Sequence, residues 1–167
     1  AKSVVKNSAE NLAQVSLELG GKSPNIIFED ADIGSAVNGV IAGIFAASGQ
    51  SCVAGSRLLV QDTVYDDFLT ALKTRAAIII IGDPLDPTSE MGPMATQTQL
   101  TLVERMVAKA LTQGAELIHG GKRAAVAGDG WYFEPTILAV DNNQCSVMQK
   151  EVFGPVASIM RFKDEAE

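Results

Sequence analysis

The chain has 167 residues, 47% of them apolar, and this length and composition are typical of one globular domain with a sizeable core. It carries 13 basic and 20 acidic side chains, for a formal net charge of −7, which disfavours nucleic acid or an anionic membrane surface as a partner. The longest apolar run, residues 76–81, is far too short to span a bilayer. We therefore expect no nucleic-acid partner and no membrane partner.

The two cysteines, Cys52 and Cys145, lie far apart in the sequence. A disulfide framework in so short a chain needs more of them, so a reducing, cytoplasmic setting is expected. Together with the single histidine, they do not form a metal-ligand cluster. We predict no metal site.

The first third of the chain predicts a strand and then a helix. Residues 25–28 form a short apolar run that is typical of a buried strand. Apolar side chains then recur with helical spacing over residues 33–47, with Asp30 or Asp32 available as N-cap and Gly49 just past the end. This pattern predicts an amphipathic helix.

The middle of the chain predicts a second strand, a helix and a third strand. Residues 58–61 form the strand, and Thr63 with Asp66 resembles a capping box that opens a helix through about Arg75. The β-branched run at residues 78–81 is interpreted as a buried strand that stops at the following Gly-Asp-Pro turn.

The last part of the chain adds one long helix and three strands. Thr96 and Gln99 are the predicted cap of a helix that ends at Gly114. The strands are predicted at residues 117–118, 136–140 and 157–162. Strands separated by helices of this length imply right-handed crossovers, so we predict an α/β fold of three layers, α/β/α, with a mainly parallel sheet covered on both faces.

A glycine-rich segment follows the first of these three strands. Its glycines do not form the G-x-G-x-x-G pattern of a dinucleotide-binding turn, and they follow no clean strand-to-helix turn. We predict an exposed hairpin or loop there, containing Gly120, Gly121, Gly128 and Gly130.

The segment GQSCVAGSR, residues 49–57, joins the first predicted amphipathic helix to the next strand. Small residues flank Cys52 on both sides, so a substrate and backbone amides can approach its sulfur closely. A cysteine in such a loop is also often an inert packed thiol. The segment alone leaves both interpretations open.

Several motifs together resemble one known family. LELGGKSP (17–24) precedes GQSCVAGSR, and GDPLDPTSEMGP (82–93), FEPTIL (133–138) and KEVFGPV (150–156) follow in order. This set resembles the aldehyde dehydrogenase superfamily from about residue 15 to the end of the chain. The separation between Glu18 and Cys52 is also that of the family. The resemblance implies the catalytic-domain type of α/β fold.

The resemblance implies that Cys52 is a nucleophile that attacks an aldehyde and forms a thiohemiacetal. Loss of hydride to a nicotinamide cofactor would leave a thioester, and Glu18 would activate the water that hydrolyses it to a carboxylic acid. A thiolate and a carboxylate suit these two tasks. The backbone N–H of Cys52 is expected to form part of an oxyanion site. By pattern alone, Glu18 is instead a solvent-facing glutamate on a strand.

The implied cofactor is NAD or NADP. Glu151 matches the glutamate that binds the nicotinamide ribose, Phe153 matches the aromatic residue beside it, and the backbone of Leu19 and Gly20 would border the nicotinamide. Without the resemblance, Glu151 would be an ordinary surface acid and Phe153 a core residue.

The resemblance further implies a boundary within the chain. Residues 1–21 are expected to be the last helix and strand of a dinucleotide-binding domain, and residues 22–167 a catalytic domain truncated at its C-terminus. The isolated chain is then expected to be inactive, and the parent enzyme to be a homo-oligomer, dimer or tetramer, with a small aldehyde as substrate. Two alternatives stay open: a relative that acylates coenzyme A, and an isolated, non-catalytic structural domain. Glu18 favours hydrolysis over transfer to coenzyme A.

Overall fold

A computed structural model describes residues 1–126 and 129–167. Its centre is a five-stranded sheet in the order β1-β2-β5-β4-β3, and the pairings of β1 with β2, β2 with β5 and β5 with β4 are parallel. The edge strand β3 is antiparallel to β4. The strands are β1 Pro24–Ile27, β2 Arg57–Gln61, β3 Glu116–His119, β4 Thr136–Ala139 and β5 Val156–Phe162. The predicted α/β class and mainly parallel sheet are confirmed.

Five α-helices are assigned among the described residues, and several short 3-10 or π turns extend or precede them. None of the helices combines the length and the apolar character that crossing a membrane requires. The helices are α1 Lys2–Ser8, α2 Ile33–Val40, α3 Tyr65–Ala77, α4 Gln97–Thr112 and α5 Ser146–Gln149.

One face of the sheet packs against α2 and α3. Parallel register places Leu58 opposite Ile159 and Ile27 opposite Val60, so alternate residues of neighbouring strands point to the same side. These four side chains are buried together with Phe68 of α3 in one hydrophobic cluster. Complete burial of a side chain of this size stabilises the fold by about 1.5–3 kcal/mol.

The other face is covered over only half of its width. Helices α4 and α5 pack over β4 and β5, where Val103 lies in a second cluster with Leu138. Elsewhere on this face, Ile26 of β1 remains 50% exposed, and Leu59 of β2 and the neighbouring Met160 of β5 are only partly buried. The predicted three layers therefore exist, but within the described residues the second helical layer is incomplete.

The predicted strand within residues 1–21 is not formed. Helix α1 buries none of its residues, and residues 12–23 contain no assigned strand. A strand is stabilised by a hydrogen-bonded neighbour and a buried face. The apolar alternation at Val15, Leu17 and Leu19 finds neither, and these side chains remain exposed.

The predicted strand at residues 78–81 is wrong. Helix α3 extends to Ala77, and Ile78 and Ile80 are more than half exposed. Ile81 makes only an isolated bridge to Met91, and the backbone N–H of Ile80 donates to the Glu90 carboxylate at 2.9 Å. A β-branched run does not become a strand where no sheet edge lies beside it.

Two of the three predicted helix caps are confirmed. Asp32 accepts a hydrogen bond from the backbone N–H of Ser35 at 2.8 Å, and Thr96 accepts one from that of Gln99 at 3.2 Å. The predicted capping box at Thr63 is wrong, because its hydroxyl donates to the Glu29 carboxylate at 3.2 Å.

The predicted glycine-rich loop follows β3 as expected. Gly120 and Gly121 have φ values of +71° and +84°, a backbone conformation that glycine adopts readily. Gly130 also lies outside any helix or strand. Gly128 lies outside the described residues.

Candidate active site

Three segments named by the sequence motifs lie within a few residues of the start of three neighbouring strands. Residues 18–20 precede β1, residues 50–56 precede β2, and residues 150–154 precede β5. Because β1, β2 and β5 are adjacent and parallel, their amino ends meet at one edge of the sheet. Ligands in open α/β sheets usually bind at the opposite, carboxyl edge. The candidate site therefore lies at the amino edge of the sheet, on the segments that lead into the strands.

The segment that carries Cys52 leaves its helix through an unusual turn. Regular α-helix ends at Val40, earlier than the predicted helix, and π and 3-10 turns continue to Gly49. Ala47, Ser48 and Gly49 then have φ values of +48°, +55° and +69°. Non-glycine residues in this left-handed region are strained, and such strain is found preferentially at functional sites.

Hydrogen bonds to the loop after residue 82 hold this turn in place. The buried Ser48 hydroxyl donates to the carbonyl of Gly92 at 2.7 Å and to that of Pro93 at 3.2 Å. The side-chain oxygen of Gln50 accepts the backbone N–H of Ala95 at 2.8 Å. The motif GDPLDPTSEMGP thus contributes the support for the cysteine segment.

Cys52 itself is exposed, in contrast to the other cysteine. Within the described residues its backbone N–H has no acceptor, whereas the N–H of Ala54 donates to the carbonyl of Ser51. An exposed thiol suits a nucleophile, and a backbone N–H without an acceptor can donate to the oxyanion that such an attack forms. Cys145 is buried at the N-cap of α5, with its sulfur 3.7 Å from the side-chain oxygen of Gln113.

The segment that carries Glu151 and Phe153 is held by a residue of α4. The side-chain amide of Gln99 donates to the carbonyl of Val152 at 2.8 Å and to that of Phe153 at 3.0 Å. Phe153 has a φ of +54°. Its side chain is 37% exposed, so it is not the core residue that the sequence pattern alone predicts. Its backbone is a second strained position at this edge.

All six site residues predicted from the sequence line one open cleft of about 490 Å³. Such a volume lies within the range of small-molecule sites. Three further lining residues were not predicted as site residues. The complete lining is Glu18, Leu19, Gly20, Cys52, Gln99, Leu102, Glu151, Val152 and Phe153. The sequence predicted Gln99 only as the capping partner of Thr96. Nothing in that local pattern predicts its hydrogen bonds to residues more than fifty positions away.

Three charged side chains cluster behind the cleft. Within the described residues, Lys22 Nζ, Arg57 Nε and Glu151 Oε1 are buried without a hydrogen-bond partner. Burial and, secondarily, the Arg57 charge lower the pKa of Lys22 to about 8, although the Glu151 charge acts in the opposite direction. The Glu151 carboxylate lies against the α-carbon of Gly20, where any β-carbon would overlap its Oε2.

The sequence matches the family model described as "Aldehyde dehydrogenase family" over residues 1–167. It is 50% identical over its whole length to (Z)-2-((N-methylformamido)methylene)-5-hydroxybutyrolactone dehydrogenase of Acinetobacter baylyi, covering 34% of that protein. It is 42% identical over 98% of its length to betaine aldehyde dehydrogenase of Rhizobium leguminosarum, again covering 34% of the relative. The chain spans about a third of the length of the curated relatives that it matches.

Solved structures agree with this similarity. Betaine aldehyde dehydrogenase from Staphylococcus aureus in complex with NAD+ superimposes with a TM-score of 0.93 and 40% identity, over 99% of this chain and 33% of that one. The NAD+ complex of aldehyde dehydrogenase from Bacillus cereus gives a TM-score of 0.92 and 36% identity, over the same shares of both chains.

Proposed function

The chain belongs to the aldehyde dehydrogenase family, and we propose that a full-length protein carrying it oxidises an aldehyde to a carboxylic acid, with NAD as hydride acceptor. In this proposal Cys52 is the nucleophile and Glu18 the base. The observation that carries it is that both line one cleft with the four predicted cofactor residues. These residues come from three separate segments of the sequence.

The first step is proposed for the thiolate of Cys52. Its sulfur adds to the carbonyl carbon of the aldehyde, a C–S bond forms, and the oxygen becomes an oxyanion. The backbone N–H of Cys52, which has no acceptor in the described part of the chain, would donate to this oxygen. The cofactor, when bound, supplies the acceptor for the hydride that leaves the same carbon, after which the carbonyl re-forms as a thioester on Cys52.

The second step is proposed for Glu18. Its carboxylate takes a proton from water, and the resulting hydroxide attacks the thioester carbonyl. The C–S bond then breaks, the thiolate of Cys52 leaves, and the carboxylic acid is released. Glu18 is exposed at the cleft, where water can reach it.

The residues around Gly20 fit the ribose end of a nicotinamide cofactor. The Glu151 carboxylate lies against the Gly20 backbone and has a buried oxygen without a partner among the described residues. A carboxylate binds ribose hydroxyls well because it only accepts hydrogen bonds. The exposed ring of Phe153 would border the nicotinamide. NAD is proposed rather than NADP because similar structures are described as NAD+ complexes.

The proposed substrate is a small aldehyde. Names of relatives refer to betaine aldehyde, 3,6-anhydro-α-L-galactose and a substituted hydroxybutyrolactone. The open cleft of about 490 Å³ beside Cys52 has the size of a small-molecule site.

The experiment that tests the proposal is stopped-flow measurement of reduced cofactor with Glu18→Gln and Cys52→Ala variants of the full-length enzyme. Glu18→Gln keeps the shape of the side chain and removes its basicity. We expect steady-state turnover to fall by about two to four orders of magnitude while a single-turnover burst survives. Cys52→Ala should lose both phases, because no acyl-enzyme forms.

Two matched variants and one added reagent complete the test. Glu116→Gln changes an exposed glutamate outside the cleft and should leave turnover unchanged. Cys145→Ala should keep turnover within a few-fold of wild type. Near-wild-type turnover of Glu18→Gln would refute the role of Glu18. Release of an acyl-coenzyme A in place of the acid, once coenzyme A is added, would support the acylating alternative.

A further inference from the structure

The charge cluster behind the cleft contains two cations and one carboxylate. Lys22 lies two residues before β1, and Arg57 is the first residue of β2, opposite Pro24 in the register. Neither forms an ion pair within 4 Å of Glu151 among the described residues. Lys22 is nonetheless close enough to both for electrostatic coupling, because the charges of Arg57 and Glu151 act on the pKa of Lys22 in opposite directions.

Such an arrangement is costly for stability. A buried ammonium group without a hydrogen-bond partner loses its hydration and regains little. Lys22 receives only the partial compensation of the Glu151 charge, and the Arg57 charge opposes it. A methionine at this position would fill similar space without that cost, so the charge of Lys22 calls for a functional explanation.

The position of the cluster supplies that explanation. Lys22 Nζ and Glu151 Oε1 are buried, while Glu151 also lines the cleft beside Gly20. A carboxylate that must face a ligand is held best by positive charge on its protein side.

We infer that Lys22 is a positioning residue, which holds the Glu151 carboxylate against Gly20 in the geometry that receives the cofactor ribose. This inference rests on the proposed function, in which Glu151 binds that ribose. Lys22 does not touch the reacting atoms, so its effect is on cofactor affinity and not on attack by Cys52.

The test is calorimetric titration of NAD into the full-length enzyme and its Lys22→Met variant. We expect the dissociation constant of NAD to rise about tenfold, as is typical of interactions within one charged network. Lys22→Arg, which restores the charge, should recover binding to within about threefold. Lys73→Met, at an exposed position of α3, should change nothing.

Two readouts separate positioning from a general structural effect. Lys22→Met should be at least as stable as wild type in urea at pH 7, and Cys52 should be alkylated at an unchanged rate. An unchanged NAD affinity in a folded Lys22→Met variant, or equal losses in Lys22→Met and Lys22→Arg, would overturn the inference.

Glu151→Gln distinguishes this inference from the proposal on which it rests. If Glu151→Gln leaves NAD affinity unchanged, the ribose-binding role of Glu151 is wrong. If it weakens binding and Lys22→Met does not, only the positioning role is wrong. In the Glu151→Gln background, Lys22→Met should no longer weaken NAD binding. If the two substitutions instead lowered NAD affinity additively, Lys22 and Glu151 would not be coupled.

Discussion

The α-carbon of Gly49 lies directly against the backbone carbonyl of Gly154, so that any β-carbon at Gly49 would overlap the Gly154 oxygen. Gly49 opens the segment that carries Cys52, and Gly154 closes the segment that carries Glu151 and Phe153. This backbone contact joins the segment of Cys52 to the segment of Glu151 and Phe153 without any side chain.

Gly49→Ala should therefore destabilise the fold strongly. The left-handed φ of +69° costs about 1–2 kcal/mol for a residue with a β-carbon, and the overlap with Gly154 adds about 1–3 kcal/mol. Urea unfolding should show a lower free energy of unfolding by about 2–5 kcal/mol. Gly39→Ala in α2, where a β-carbon meets nothing within 4 Å, should instead stabilise the protein by about 0.5–1 kcal/mol. Equal effects of the two substitutions would contradict the contact.

Gln99→Met should destabilise the segment that carries Phe153. The substitution keeps the length of the side chain but removes both hydrogen bonds to the carbonyls of Val152 and Phe153. We expect a loss of about 1–3 kcal/mol in the free energy of unfolding, because the carbonyls lose a partner. Gln97→Met, the same change at an exposed position of the same helix, should be within about 0.5 kcal/mol of wild type. Limited proteolysis near residue 153 should also accelerate only in Gln99→Met.

Cys52 should react with iodoacetamide much faster than Cys145 in the native protein. Cys52 is exposed, whereas Cys145 is buried at 7% exposure. Peptide mass spectrometry after a short exposure to a limiting amount of iodoacetamide measures both rates in one sample. In denaturant the difference should disappear. Faster labelling of Cys145 while the protein stays folded would contradict the burial of its thiol.

The stability of the protein should rise with pH above about 8 through Lys22. The folded-state pKa of Lys22 is about 8, against 10.5 for an unperturbed lysine, so between these values the unfolded chain binds more protons. This difference adds up to about 3 kcal/mol to the free energy of unfolding by pH 10.5, and the gain is absent below pH 8. Urea unfolding of wild type and Lys22→Met isolates the effect from other titrating groups.

The free energies of unfolding of wild type and Lys22→Met should differ most at neutral pH. Lys22→Met is expected to be the more stable at pH 7, and its advantage should shrink as the pH approaches 10. Lys109→Met, at an exposed position of α4, should parallel wild type at every pH. A constant difference between Lys22→Met and wild type from pH 7 to 10 would show that Lys22 keeps its ordinary pKa in the folded state.

Local signals in the sequence were sufficient for most of the elements. Strand β2 alternates in burial with a period of two, and Thr96 caps α4 through the backbone of a residue three positions away. Periodicity and capping depend on residues within one or two turns of each other. The motifs also predicted Cys52 and Glu18 as site residues, because a family resemblance depends on the order of residues along the chain.

Contacts between distant segments were decided only by the tertiary structure. The run at residues 78–81 has strand-forming side chains, but no sheet edge is beside it, and Ile80 is bonded to Glu90 instead. Thr63 resembles a cap and bonds to Glu29, 34 positions away. In both cases a tertiary partner outweighs a local preference of less than about 1 kcal/mol.

The site shows the same division. By itself the sequence predicted which side chains carry the proposed chemistry, since a thiol, a carboxylate and small neighbouring residues are visible in the motifs. Three features of the site appear only in the folded chain. They are the shared amino edge of β1, β2 and β5, the hydrogen bonds from Gln99 to residues 152 and 153, and the burial of Lys22 beside Glu151. Strand order and burial arise from packing among residues that are far apart in sequence, and no local pattern encodes which strands become neighbours.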